Sequence, residues 1–369
     1  MHLLWYLLLG GSSVFCLLVI LAARRYRSQP AHGLRTPAPP VSILKPLAGV
    51  DDGLAENLRS FFRQDYPGEF EILLAVRHAT DPAAAIVEQI QREFPYVPSR
   101  LLMVGEPPYA NAKVWSLEQM TAAARYDLLA MADSDIRVTP DFLATVAAEF
   151  QQDDRLAVTT CPYRAVAGAS SPWSQLEAIM MNTEFIAGIL VARLLEGMKF
   201  AVGPTIVARK SAIAAMGGWP RLKDYLAEDF VLGQLAAAAG MGVGLSRYVI
   251  EHRIGSQPFA ANARHRLRWC RSTRRSRPAG YAGQLFTYTL PWLLLGLPWS
   301  LLAAPIWIWS KVETARLTVH SRPAWFLIPA AELASFLYWI GGFFGNTIAW
   351  RGQNYYLHTD GRFERISSP

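Results

Sequence analysis

The sequence predicts an α/β fold with a mostly parallel sheet covered on both faces, joined to membrane-spanning segments. Three observations predict it. From residue 41 to residue 132, short apolar runs alternate with stretches of helical spacing, the order that builds parallel sheets. Acids gather where those runs end, at the sheet edge where ligands bind. Long apolar segments lie near both ends of the chain, and apolar residues make up 52% of its 369 residues.

Leu3 to Ala23 carries no charge and is long enough, at roughly 1.5 Å per residue, to cross a hydrocarbon core of ~30 Å. Arg24, Arg25 and Arg27 follow at once. A cleaved signal peptide would carry its positive charge ahead of the apolar stretch, with a small-residue cleavage site behind it. The expectation is a retained anchor over 1–23 whose C-terminal end faces the cytoplasm. A basic, Pro-rich linker over 24–40 follows.

Val41-Ser42-Ile43-Leu44-Lys45-Pro46-Leu47 reads as a short buried strand, and Leu54 to Arg63 as a helix. Phe70 to Val76 is a second strand. Asp81-Pro82 opens a helix running to Phe94, since Pro is tolerated in a first turn. Leu101 to Val104 makes a third strand, Leu117 to Ala124 a helix, and Leu128 to Ala132 a fourth strand.

That fourth strand climbs into Asp133-Ser134-Asp135. An acid buried without a partner costs several kcal/mol, so the apolar run does not explain the pair. Two carboxylates leaving the end of a strand can share a divalent cation, most naturally one already carrying a diphosphate. A solvated loop end is the plainer alternative. Asp81 sits at the end of an earlier strand, so it and the pair share an edge.

Leu156 to Cys161 is a further strand. Trp173 to Phe200 has helical spacing and is rich in Met, Ile and Leu, with Glu177, Glu184 and Glu196 along it. It reads as a core helix, or as a surface facing lipid or an acceptor. Ala201 to Ala208 resumes as a strand through Gly203-Pro204. Glu228-Asp229 stands at a helix start, where the positive end of the dipole favours carboxylates; capping alone would account for it. The globular part is placed over 41–255.

Residues 256–284 form an Arg-rich interfacial segment. Arg264, Arg268, Arg271 and Arg275 share one helical face, and a one-signed face seeks phosphate, from a soluble diphosphate or from lipid headgroups. The net charge of +7 also suits nucleic acid, but the segment runs straight into Leu285–Trp309, an apolar stretch of spanning length. No nucleic-acid partner is therefore expected. Pro291, Pro298 and Pro305 would kink or break that stretch. Lys311 to Pro323 reads as a polar loop, and Trp325 to Trp350 as a second apolar stretch containing Glu332. Residues 285–350 thus read as a transmembrane hairpin and 351–369 as a cytoplasmic tail. Cys16, Cys161 and Cys270 lie too far apart in sequence to suggest a disulfide framework or a structural zinc, and they suit a reducing compartment.

Asp81, Asp133-Ser134-Asp135, Glu228-Asp229 and His265-Arg266-Leu267-Arg268-Trp269 follow one another in the order D, D-x-D, E-D, (Q/R)-x-x-R-W. This series resembles that of membrane-bound glycosyltransferases of the ceramide glucosyltransferase-like type, including the hopanoid-biosynthesis-associated enzymes. Further matches are Ile43-Leu44-Lys45-Pro46-Leu47 with Gly49-Val50-Asp51, Asp65-Tyr66-Pro67, Asn111-Ala112-Lys113 and the closing Trp350-Arg351-Gly352 with Tyr356. Two positions depart from the ceramide enzymes. His265 stands where Gln or Arg is usual, and Asp135 is an acid where animal enzymes tend to have Gly.

The resemblance implies a GT-A catalytic domain and an inverting transfer from a UDP-sugar to a hydroxyl of a membrane lipid. Asp135, with Asp133, would hold Mg2+ or Mn2+ against the diphosphate. Asp81 would contact the uridine, with Lys113 in the same pocket. Asp229 would be the general base, oriented by Glu228. Arg268, Trp269 and His265 would close over the donor. The acceptor would be a hopanoid polyol receiving N-acetylglucosamine or a ceramide receiving glucose. The expected location is the inner (cytoplasmic) membrane, with the catalytic domain in the cytoplasm. Two alternatives remain open: a non-catalytic nucleotide-sugar-binding scaffold, and a polysaccharide-type glycosyltransferase, which would ordinarily carry more spans.

Overall fold

The structure, a computed structural model, describes residues 2–168, 171–296, 302–350 and 353–366. It divides into two compact units, one made of Pro30–Pro162 with Met198–Arg253, the other of Met1–Gln29, Tyr163–Gly197 and Ile254–Pro369.

The first unit is built on a seven-stranded sheet. Its order is Ser99–Met103, Phe70–Val76, Val41–Pro46, Leu128–Ala132, Thr205–Arg209, Leu156–Thr160 and Gly242–Leu245. The first four strands run parallel, with Val41 opposite both Phe70 and Leu128. Thr205–Arg209 runs antiparallel to both its neighbours. Leu128–Ala132 is buried along its whole length, the unbroken pattern of a strand covered on both faces. The core around it joins Leu44, Leu73, Val114, Leu129, Val158 and Ile206. Because the Val41, Phe70 and Leu128 strands are parallel, their carboxyl ends deliver Lys45, the approach to Asp81, and Asp133 to one edge.

The strands Phe70–Val76 and Leu128–Ala132 fall where the apolar runs place them. The helix expected from Leu117 begins earlier and spans Ala112–Ala123, because the Asn111 side chain caps it by accepting from Lys113 N and Val114 N, each at 3.1 Å. Ile136–Arg137 is too short to leave a periodic signal; it pairs antiparallel with Ile250–Ile254, setting Ile136 opposite His252.

In the second unit, three helices are long and apolar enough to cross a membrane: His2–Arg27, Pro172–Glu196 and Trp325–Gly342. Pro172–Glu196 contains a π-helical turn at Met181–Phe185 between two α-helical segments. Leu285–Trp309 is broken, as its prolines suggest: Pro291 and Pro305 sit in the first turns of Leu290–Leu295 and Ala304–Thr318, while Pro298 lies outside the described residues.

The polar sequence from Lys311 to Thr318 is helical rather than loop, since Ala304–Thr318 runs through it. Its charge turns inward. Lys311 Nζ lies 2.8 Å from Glu332 Oε2 and 3.4 Å from Glu184 Oε1. Glu332 also accepts from Trp307 Nε1 at 2.7 Å and from the N–H groups of Thr289 and Leu290 at 2.6 and 2.7 Å. A carboxylate in an apolar helix is tolerable on those terms.

Trp325–Trp350 is not one helix. Helix Ile328–Gly342 ends in glycine, Gly345 takes φ 76°, and Thr347–Trp350 starts an antiparallel sheet with Gln353–Leu357 and Phe363–Arg365. Arg351 and Gly352 lie outside the described residues.

The Arg-rich segment forms helix Phe259–Ser276, but part of its basic face has a structural partner. Arg271 donates to Phe344 O at 3.0 Å and Thr347 O at 2.7 Å. Arg274 donates to Phe343 O and, at 2.8 Å, to Gly345 O, and Arg275 donates to the Asn346 side chain. A helix leaves its last carbonyls unpaired, and guanidinium groups satisfy them with favourable dipole sign. Arg271 and Arg274 thus meet carbonyls at the end of helix Ile328–Gly342, and Arg275 is held by the Asn346 side chain.

Candidate active site

The site grows from the turn that ends the Leu128–Ala132 strand. Each of its three residues is tied down. Asp133 N donates to Pro204 O at 3.0 Å, and the buried Lys45 ammonium donates to Asp133 O. Asn57 Nδ2 donates to Ser134 O at 3.2 Å, Ser134 Oγ donates to Asp51 Oδ2 at 2.5 Å, and Arg253 N donates to Asp135 O at 2.8 Å. The side chains of Asp133 and Asp135 each keep 35% exposure, so the turn opens on one side.

The two acids have different partners. Lys113 Nζ lies 2.7 Å from Asp133 Oδ1 and 3.1 Å from Glu228 Oε1, joining the D-x-D turn to the E-D pair. His252 Nε2 lies 3.0 Å from Asp135 Oδ2, while Asp135 Oδ1 is buried with no hydrogen-bond partner. Burial alone would raise the Asp135 carboxyl, but the charge and hydrogen bond of His252, with Lys45 behind, bring it down to about 2. Burial raises Asp133 despite Lys113. Burial also draws Lys45 down to about 7, against the pull of Asp133 and Asp135. Lys113 is raised: burial works against its charge, and Asp133 and Glu228 outweigh it.

Asp229 lies in the first turn of helix Glu228–Ala238 and shares with Lys113, Asp133, Gly203 and Glu228 the lining of a recess of about 20 Å³, room for a water molecule. Burial, then the neighbouring Glu228 charge, pushes its carboxyl up to about 7, with Lys113 and the Phe230 N–H opposing. Gly203 makes room for it, since a Cβ there would stand 2.8 Å from Asp229 Oδ2.

Asp81 caps helix Pro82–Glu93, its Oδ1 accepting from Ala83 N at 2.9 Å. Both its oxygens also accept from Gly49 N at 3.1 Å. Two residues on, Asp51 takes the Ser134 hydroxyl, so one loop ties Asp81 to the D-x-D turn. His265, Arg268 and Trp269 lie in the other unit on helix Phe259–Ser276. There His265 Nδ1 is 3.4 Å from Glu177 Oε1, the Trp269 ring is 5.8 Å from that of Phe185, and Arg268 stands 5.9 Å over Trp350.

Sequence reasoning named Lys45 and Asp51 only as motif matches without a role, and missed Asn57 and His252. Lys45 carried a signal, as a lone charge inside an apolar strand. His252 carried none, because its place depends on a two-residue strand pairing.

The residues present fit a divalent cation. Asp135 offers an unpartnered buried oxygen beside Asp133, and carboxylate oxygens suit Mg2+ or Mn2+. Among the described residues no group of three or more His, Cys, Asp or Glu is placed to hold a metal, so a diphosphate and water would complete the shell.

Residues 4–363 match the model of glycosyl transferase family 21. Ceramide glucosyltransferase 1 of Caenorhabditis elegans is 30% identical over 211 residues, 57% of this chain and 44% of that protein. Ceramide glucosyltransferase 3 of the same organism is 28% identical over 250 residues, 65% and 53% respectively. The chain thus spans about half the length of these relatives. A mannosyltransferase from Pyrobaculum calidifontis, solved in complex with GDP-Man and Mn2+, matches with a TM-score of 0.55 at 18% identity, covering 92% of this chain and 96% of that one. That likeness is one of fold, and the fold is GT-A. With a family model matched from the first apolar segment to the last strand, this chain belongs to glycosyl transferase family 21.

Proposed function

We propose that the protein is an inverting glycosyltransferase that moves a sugar from a UDP-sugar to a hydroxyl of a membrane lipid. The observation that carries this reading is the meeting of Asp133, Lys113, Glu228 and Asp229 around one recess, with Asp135 on the same turn as Asp133.

Asp229, titrating near neutrality, takes the proton of the acceptor hydroxyl as the new glycosidic bond forms. Glu228 and Lys113 orient it. Asp133 and Asp135 would hold Mg2+ or Mn2+, which supplies Lewis-acid relief of charge on the departing diphosphate. Lys113 adds an ammonium to that diphosphate. Asp81 and the Gly49–Asp51 loop receive the uridine end. For His265, Arg268 and Trp269 a part in donor binding is proposed, supported by their motif.

Membrane placement supports a lipid acceptor, as do the relatives named above. Two pairs are proposed: ceramide with UDP-glucose, and a hopanoid polyol with UDP-N-acetylglucosamine. The catalytic domain is proposed to face the cytoplasm from the inner membrane. Lipid mass spectrometry after expression with both donors available decides between them. A hexose or an N-acetylhexosamine increment on one lipid class identifies donor and acceptor together. No new glycolipid and no UDP release with any lipid class would favour the scaffold alternative.

A further inference from the structure

We propose that Lys113 is a resident counter-ion that makes uptake of the divalent cation conditional on the nucleoside diphosphate, by exchanging partners with it. The inference rests on the donor reading above and concerns how that site fills.

Lys113 occupies a carboxylate oxygen open to the cation. Its ammonium stands 2.7 Å from Asp133 Oδ1, and the unpartnered Oδ1 of Asp135 belongs to the same turn. An ammonium and a divalent ion sharing one carboxylate repel. A free cation entering the turn would therefore have to drive Lys113 off Asp133. Lys113 would be left half-buried, with Glu228 at 3.1 Å. Losing one partner of a buried pair is costly.

A diphosphate removes the obstacle. Its oxygens take the Lys113 ammonium as the cation takes Asp133, so every charge keeps an opposite neighbour throughout. Lys113 is built for such a move. Its backbone is fixed by the Asn111 cap, at 3.1 Å from Asn111 Oδ1, and Glu228 tethers the ammonium. Its flexible stem does the rest. Lys45 holds the turn from below. It donates to Asp133 O and sits 4.0 Å from the Phe61 ring, which keeps the Asp133 backbone in place while its side chain changes partner.

The test is Mn2+ binding by the full chain in detergent micelles, read from the electron paramagnetic resonance of free Mn2+, with and without UDP. The buffer is held at pH 8. The wild type should bind Mn2+ at least tenfold more tightly with UDP than without. Lys113→Met should bind Mn2+ alone at least tenfold more tightly than the wild type and lose the UDP enhancement. Lys113→Arg should retain it. Should Lys113→Met fail to fold, Lys113→Gln carries the same expectation. Equal Mn2+ binding by the wild type with and without UDP overturns the proposal. So does unchanged or weaker binding of Mn2+ alone in the neutral variants. A wild type that binds no Mn2+ even with UDP overturns the metal-dependent donor reading itself, and this inference with it.

Discussion

His252 Nε2 lies 3.0 Å from Asp135 Oδ2, and the other oxygen of that carboxylate is buried without a protein donor. One oxygen is held and the other is left for a ligand. This is how a supporting residue aims a metal-binding carboxylate. Asp135→Ala should therefore abolish metal-dependent UDP binding, measured by calorimetry with and without chelator. His252→Ala should weaken it by about ten- to a hundredfold, the usual range for such outer partners. Binding in Asp135→Ala that ignores chelator would remove Asp135 from the metal site.

The Asp229 carboxyl, pushed up to about 7, sets the pH profile. A base must be deprotonated to act, so kcat/KM should fall as pH drops through about 7 and level off above it. Asp229→Asn should lose that limb, with transfer reduced about 10²- to 10⁴-fold and UDP affinity largely kept. Near-normal turnover would take the base role away.

Gly203 gives a test through shape alone. Gly203→Ala should push the Asp229 carboxylate aside and lower kcat, while Mn2+–UDP affinity stays within a few-fold of wild type. Equal losses in both would mean that the whole edge had shifted.

Arg268 and Arg271 lie on one helix yet should fail differently. Arg268→Lys should cut transfer severely, since a point charge is a poor substitute for a planar fork on phosphate. Arg271→Ala should instead destabilise by about 1 kcal/mol through the unpaired carbonyls of Phe344 and Thr347, seen in thermal unfolding with little change in KM for the donor.

The parallel half of the sheet was legible because strands buried on both faces write unbroken apolar runs, and Phe70–Val76 and Leu128–Ala132 did so. The acids of the site were legible because a carboxylate at a strand end or helix start has few plain reasons to be there. The supports were not. Asn57, Asp51 and His252 are ordinary polar residues until folding brings them to Ser134 and Asp135. On the arginine face, Arg271 pairs with carbonyls near a helix end, a use of the guanidinium that sequence spacing cannot separate from phosphate binding.

Glu332 bears on how the membrane unit is made. Its donors, Thr289, Leu290, Trp307 and Lys311, all precede it in the chain. Among the described residues, the acid thus emerges from the ribosome after the groups that hold it. Insertion of Trp325–Gly342 is then a docking event onto earlier helices rather than the solitary entry of a charged segment. Synthesis order itself spares the bilayer an unpaired carboxylate.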